Sequence, residues 1–310
     1  MQKIIIPSHY NYIAIFLTQA CNLSCPYCIN LNEKGSTRGH VSKSNHISGK
    51  DWINFINKLD IKSEGLPVTL QGGEPTLHKN FHEIIKEVRS DIKLDLLTNL
   101  MFDIDKFIAN VNPAIFTRKA KYAAIRASYH PGQNNIDDLI KKTLKMADAG
   151  FYVGLYSVML PENRPHIEEV REYCLSLGID FRVKEYLGYL NGVWHGTYRY
   201  PDAITQSHEK YCECKTTEII AGPNGDIYRC HSDLYAARNP IGSVLDHDFQ
   251  IKDIYRPCYL YGHCNPCDIK VKTNRFQEFG YSSVDIINIK DVSEPVLCND
   301  SNTNQRNVSE

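Results

Sequence analysis

Between Tyr12 and Tyr186 the chain alternates short apolar runs with amphipathic stretches six times, and few folds accept that order. The apolar runs are residues 12–17, 68–71, 94–97, 122–127, 152–158 and 181–186, each of the length of a buried strand. Between them apolar residues recur at helical spacing. The faces predicted to pack inward are Trp52, Phe55, Ile56 and Leu59; Phe81, Ile84, Ile85 and Val88; and Ile104, Phe107 and Ile108. Two more follow, Leu139, Ile140, Leu144 and Ala147, then Ile167, Val170, Cys174 and Leu177, with Gly150 and Gly178 placed to end those helices. Strands that alternate with helices imply an α/β class with a parallel sheet and right-handed crossovers. A plain doubly wound sheet is one way to meet that pattern.

Cys21, Cys25 and Cys28 follow the first run directly, in the spacing CxxxCxxC, on the loop that leaves the strand's C-terminal end. With 11 cysteines in 310 residues, a given triple at fixed spacing arises by chance about one time in a hundred. Three thiolates on one loop suit a metal or a cluster, because iron-sulfur cubanes take soft sulfur ligands. Three ligands on four irons leave one iron open to a substrate or cofactor. A zinc site is the alternative, and it lacks an evident fourth ligand nearby. The second run, residues 68–71, leads straight into Gly72-Gly73-Glu74-Pro75.

With CxxxCxxC, an aromatic residue (Tyr27) before the third cysteine and GGEP at the next strand end, the chain resembles the radical S-adenosylmethionine (SAM) enzymes. The resemblance implies a partial (β/α)6 barrel of TIM type in which Cys21, Cys25 and Cys28 ligate a 4Fe-4S cluster. The open iron would chelate SAM, and Gly72, Gly73, Glu74 and Pro75 would bind its amino group. Reductive cleavage of SAM would then give a 5'-deoxyadenosyl radical that abstracts hydrogen from a substrate. In such barrels chemistry gathers at the C-terminal ends of strands. That nominates Asn99, Ser128 and Ser157 for cofactor binding, and Arg126, His130, Lys184 and Glu185 as catalytic candidates. For each charged residue a solvated strand end or a structural ion pair is the competing reading, and His130-Pro131-Gly132 also reads as a plain turn.

Residues 188–200 read as a linker, which gives a barrel over residues 1–200. Beyond it, Ile219-Ile220, the turn Pro223-Asn224-Gly225-Asp226, and Ile227-Tyr228 read as a β-hairpin with a cysteine at each end. Cys258, Cys264 and Cys267 follow. This plan resembles the SPASM or twitch extension of radical SAM enzymes, expected over residues 201–284. The resemblance implies an auxiliary 4Fe-4S cluster on Cys212, Cys230, Cys264 and Cys267, with Cys214 or Cys258 as substitutes. A zinc ribbon is the alternative. Residues 285–310 turn polar and are expected to be a disordered tail.

Lys+Arg 35 against Asp+Glu 36 provides no basic field of the kind that recruits nucleic acid. No apolar run reaches membrane-spanning length, and the first residues lack a signal-peptide pattern. A cytoplasmic location is expected, where thiols stay reduced and an unusual cysteine count favours clusters over disulfides. The function expected is hydrogen abstraction from a small molecule, sugar- or aminocyclitol-like, that is oxidised or rearranged with help from the auxiliary cluster. A flavodoxin or ferredoxin-type protein would donate the electron. A ribosomal peptide or protein substrate competes; it is disfavoured because the first strand begins almost at once, without a peptide-binding module in front. A non-catalytic iron-sulfur or zinc scaffold is the reading of another class.

Overall fold

The computed structural model describes residues 2–28, 46–62, 65–120, 122–186, 188–195, 210–261 and 284–291. The six expected runs are strands β2 (Tyr12–Thr18), β4 (Val68–Gly72), β5 (Leu94–Thr98), β6 (Ile125–Tyr129), β7 (Val153–Met159) and β8 (Phe181–Glu185). Two short strands, β1 (Ile4–Ile6) and β3 (Leu59–Ile61), pair in parallel outside this series. The six strands lie side by side in sequence order, every pair parallel. Sequential order with right-handed crossovers puts every helix on one face, whereas a doubly wound sheet must reverse its order. The barrel-type arrangement is therefore the one adopted.

The helices are α1 (Gly49–Lys58), α2 (Phe81–Glu87), α3 (Ile104–Asn110), α4 (Ile136–Asp148) and α5 (Arg164–Ser176). Their buried residues meet the outward side chains of the strands, such as Ile13, Ile15, Val68, Leu70, Leu94, Leu96, Ile125, Val153 and Leu155, in one continuous core. Because strand side chains alternate, the opposite set faces the lumen: Thr69, Gln71, Asp95, Arg126, Ser128, Tyr156, Arg182 and Lys184. The face expected for α4 needs correction. Leu144 is 40% exposed, and Thr143 and Met146 are buried in place of Leu144 and Ala147, a rotation of one residue that periodicity alone does not fix. Leu177 ends α5 as an exposed cap residue.

The stretch read as a linker begins with a hairpin, β9 (Gly188–Leu190) and β10 (Val193–His195). Its turn is Asn191-Gly192, both at positive φ, the conformation that two-residue hairpins require. The cysteine-flanked hairpin is also present, as β12 (Glu218–Ala221) and β13 (Asp226–Tyr228). It continues the main sheet, with β12 parallel to β2 and a two-residue β14 (Gly242–Ser243) beyond β13, giving nine strands. A short helix, α6 (His231–Tyr235), places Leu234 and Tyr235 against the lumen-side residues Tyr12, Phe16 and Tyr228.

β11 (Lys210–Thr216), β15 (Arg256–Tyr261) and β16 (Val284–Asp291) form a separate three-stranded antiparallel sheet. The polar tail expected from residue 285 is thus corrected over 285–291. The apolar residues of Val284-Asp285-Ile286-Ile287-Asn288-Ile289 are all β-branched, which suits a strand.

Candidate active site

The loop that leaves β2 carries Cys21, Cys25 and Cys28, and three neighbouring strand ends hold it. From β4, the Gly73 N–H donates to Thr18 O and the Glu74 N–H to Ala20 O, both at 2.8 Å. Side chains do not fit in this approach. A Cβ on Gly72 would collide with the Thr18 carbonyl, and one on Gly73 with the carbonyls of Gln19 and Ala20. Gly72 also has φ +151. From β5, the Asn99 amide donates to Asn22 Oδ1 at 2.6 Å. From the turn after β6, Gln133 Oε1 accepts from the Ser24 N–H at 3.0 Å, and the Tyr27 hydroxyl lies 3.1 Å from His130 Nδ1.

Glu74 organises the first and second of these strand ends, those of β4 and β5. Its side chain caps the 3-10 turn that Pro75 opens, accepting from the Thr76 N–H and hydroxyl. The same carboxyl accepts from the Thr98 hydroxyl at 2.8 Å and the Asn99 N–H at 2.7 Å. It is 1% exposed. Burial raises its pKa, and the four hydrogen bonds offset that only in part. Leu100, next in the chain, has φ +56, a left-handed conformation costly for a branched residue; it allows the Leu100 N–H to turn back to Thr98 Oγ1 and the Met101 N–H to Asn99 Oδ1.

Burial drives the Tyr27 hydroxyl pKa well above its ordinary value, with the Cys25 thiol adding to the effect. Burial also pushes His130 down to about 4, so the imidazole is neutral around pH 7 and Nδ1 can accept. Cys21 is exposed, Cys25 buried and Cys28 between the two, and none is in a disulfide. Two polar groups that sequence reasoning missed stand beside the two motifs in the chain, Gln19 before the cysteine loop and Gln71 before Gly72. Gln19 Oε1 and Gln71 Nε2 are buried without a hydrogen-bond partner among the described residues. Such groups are costly unless something satisfies them. Three soft thiols, a backbone cradle that only glycine permits, and an orphaned acceptor and donor together fit an iron-sulfur cluster with a polar cofactor beside it.

Other nominated residues stand elsewhere. Arg126 is corrected from a strand end to the second position of β6. The strand starts at Ile125 rather than Tyr122, because the preceding segment is occupied at the base of the barrel: Arg118 pairs with Asp95 at 2.7 Å, Arg126 with the same carboxylate at 3.1 Å, and the Tyr122 ring lies under both guanidiniums. Ser157 is on the helix-facing side of β7 with Val153 and Leu155, and its hydroxyl donates to Tyr129 O at 3.0 Å. Strand parity, not strand position, excludes it from the lumen. Ser128 and Lys184 have lumen parity, and Glu185, at the end of β8, does not. Lys184 and Glu185 are both exposed.

The C-terminal cysteines form a second grouping. Cys212 and Cys214 share the buried face of β11, and Cys258 stands opposite Cys212 in register. A hydrogen bond between the Cys214 and Cys258 thiols, followed by burial, raises the Cys214 pKa far above normal. Cys230 caps α6, accepting from the Asp233 N–H at 3.5 Å. Arg229, 7% exposed, bonds Asp233 at 2.7 Å and Pro257 O at 2.7 Å. Burial works against its charge, but Cys214, Asp233, Cys258 and Cys230 around it outweigh that effect. Cys264 and Cys267 lie outside the described residues. Among the described residues, Cys21, Cys25 and Cys28 included, no three His, Cys, Asp or Glu side chains are gathered as a metal site, so the fit of the cysteine loop to a cluster rests on its thiol chemistry and its cradle; no helix among them is long and apolar enough to cross a membrane.

Residues 15–174 match the family model of the Radical SAM superfamily. The chain belongs to that superfamily. It is a radical SAM enzyme, of a family that works with a 4Fe-4S cluster and SAM. Relatives include molybdenum cofactor biosynthesis protein 1 of Dictyostelium discoideum, 26% identical over 66% of this chain and 33% of that protein. A probable GTP 3',8-cyclase of Methanocaldococcus jannaschii is 22% identical over 56% of this chain and 58% of its own length. The chain thus spans a third to somewhat under two thirds of these two relatives. Similar folds are Streptococcus suis SuiB bound to SAM (TM-score 0.53, 17% identity, 78% of this chain and 65% of that one) and anSMEcpe with bound SAM and the Kp18Cys peptide (TM-score 0.52, 15% identity, 76% and 78%).

Proposed function

We propose that Cys21, Cys25 and Cys28 ligate the SAM-binding 4Fe-4S cluster, that the backbone of Gly72, Gly73 and Glu74 receives the SAM amino group, and that the enzyme abstracts hydrogen from a small molecule. One observation carries this reading. Two motifs some fifty residues apart are joined backbone to backbone, Gly73 to Thr18 and Glu74 to Ala20, at the C-terminal ends of adjacent parallel strands. When bound, the cluster and SAM supply an electron and a 5'-deoxyadenosyl radical.

The chain's own residues orient and enclose. Glu74 and Asn99 fix the cradle against the cysteine loop, leaving the Gln19 and Gln71 side chains to bond a polar cofactor. Thr69, Ser128 and Tyr156 carry hydroxyls on the lumen side of their strands, which suits a hydroxyl-rich substrate of sugar or aminocyclitol type. The names of the relatives support a small-molecule substrate, since a GTP 3',8-cyclase acts on a nucleotide. Cys212, Cys230, Cys264 and Cys267, with Cys214 or Cys258 as substitutes, would hold a second 4Fe-4S cluster, which would supply an acceptor for an electron as substrate is oxidised. A flavodoxin or ferredoxin-type donor and a cytoplasmic location complete the reading.

The test is anaerobic reconstitution, then mass spectrometry of SAM products with deuterated candidate substrates. The expected result is 5'-deoxyadenosine carrying deuterium from a sugar or aminocyclitol. Deuterium transfer only from a peptide would replace the substrate class, and absence of SAM cleavage would leave a scaffold.

A further inference from the structure

We propose that His130 is a positioning residue of the cysteine loop: its imidazole fixes the Tyr27 ring and, with Gln133, ties the segment carrying Cys25 and Cys28 to the turn between β6 and α4. The inference rests on the reading that this segment ligates the cluster beside SAM.

Two bonds cross from the turn to the loop, Tyr27 Oη to His130 Nδ1 at 3.1 Å and the Ser24 N–H to Gln133 Oε1 at 3.0 Å. They grip the loop on both sides of Cys25. The Tyr27 and His130 rings also lie 5.9 Å apart at a tilt of 37°. Since Tyr27 immediately precedes Cys28, whatever holds the ring restricts the third thiol as well.

The turn is stiff enough to act as an anchor. The His130 N–H donates to Asn134 Oδ1 at 2.8 Å, and the Asn134 amide donates to Ser128 O at 2.9 Å. The Gln133 N–H returns to His130 O at 2.9 Å. Gly132, at φ +76, lets the chain reverse within those bonds. Three residues after Gly132, Asn135 caps α4, so the turn is fixed to a strand at one end and a helix at the other.

The test uses the reconstituted full chain and the variants H130L, Y27F, H130L/Y27F, H130N and Q133A. Three readouts are taken: the SAM dissociation constant, the change SAM causes in the EPR signal of the reduced cluster, and the rate at which oxygen bleaches the cluster. Losing one neutral hydrogen bond should weaken SAM binding about five- to tenfold in H130L and in Y27F. The double variant should be no weaker than either single one, because both remove the same bond. H130N, whose amide oxygen can accept near the Nδ1 position, should recover most of the affinity. Q133A should weaken binding about two- to fivefold and speed bleaching, and it carries the test if H130L does not fold. Additive losses in H130L/Y27F, or wild-type affinity and EPR response in both H130L and Q133A, would overturn the inference while leaving the cluster assignment intact. A wild-type protein that holds no cluster on Cys21, Cys25 and Cys28 would remove both.

Discussion

Cysteines occupy two regions of this molecule on opposite physical terms. At the barrel mouth Cys21, Cys25 and Cys28 sit on an irregular loop, one exposed, one buried and one between, and the loop is held by backbone and amide bonds to three strand ends. In the three-stranded sheet and its neighbouring turn, Cys212, Cys214, Cys230 and Cys258 are all buried, set by strand register and helix capping beside the Arg229 guanidinium. The first region presents its thiols at graded exposure on a loop that its neighbours constrain. The second makes thiols part of the packing. A loop can be read from the spacing of its cysteines; a packed set can be read only once the pairing of its strands is known.

The largest effect that separates the regions is in iron content. Replacing Cys264 and Cys267 with Ala should lower iron from about eight to about four per chain, the content of one 4Fe-4S centre in place of two. SAM cleavage without substrate should survive and substrate turnover should stop. Retention of all the iron would mean that the C-terminal cysteines hold no cluster, and zinc in its place would point to a ribbon.

Next in size is the cradle. Gly73→Val must displace the Gln19 and Ala20 carbonyls, a backbone movement that should cost about 3 kcal/mol in denaturant unfolding. SAM affinity should fall at least tenfold. A variant with normal stability and affinity would show that the close approach of the two segments is not needed.

The legibility of the sequence follows the same division. Six strands and five helices were readable because each buries a periodic apolar face, and the site at β2 and β4 because its motifs follow those strands directly. What escaped depended on parity and register. Ser157 looks like a strand-end ligand until its neighbours Val153 and Leu155 show which face it shares. Arg126 looks like a mouth residue until its ion pair with Asp95, a carboxylate it shares with Arg118, holds it at the base. The Asn191-Gly192 turn is a hairpin signal inside a stretch whose composition reads as a linker, and Val284–Asp291 buries only Val284 while Ile287 and Ile289 stay exposed, so no regular alternation sets it apart from a tail. Gln133 and Asn22 carried no signal at all, since an amide in a loop acquires meaning only from what it touches.

A smaller effect sharpens the contrast in protein stripped of iron. Cys214→Ser places a hydroxyl in a buried apolar setting and disturbs the Cys258 contact, which should destabilise the chain by about 1–2 kcal/mol. Cys21→Ser, at an exposed position, should stay within about 0.5 kcal/mol of the parent. Equal effects on urea midpoints would erase the distinction between a packed and a presented thiol.

The central claim, that the cysteine loop and the glycine cradle form one SAM-cleaving site, is tested most directly by Cys25→Ala under dithionite. The account predicts a folded protein that yields no 5'-deoxyadenosine and whose EPR signal does not respond to SAM, because one of only three thiolates is gone. SAM cleavage at the wild-type rate by that variant would contradict it.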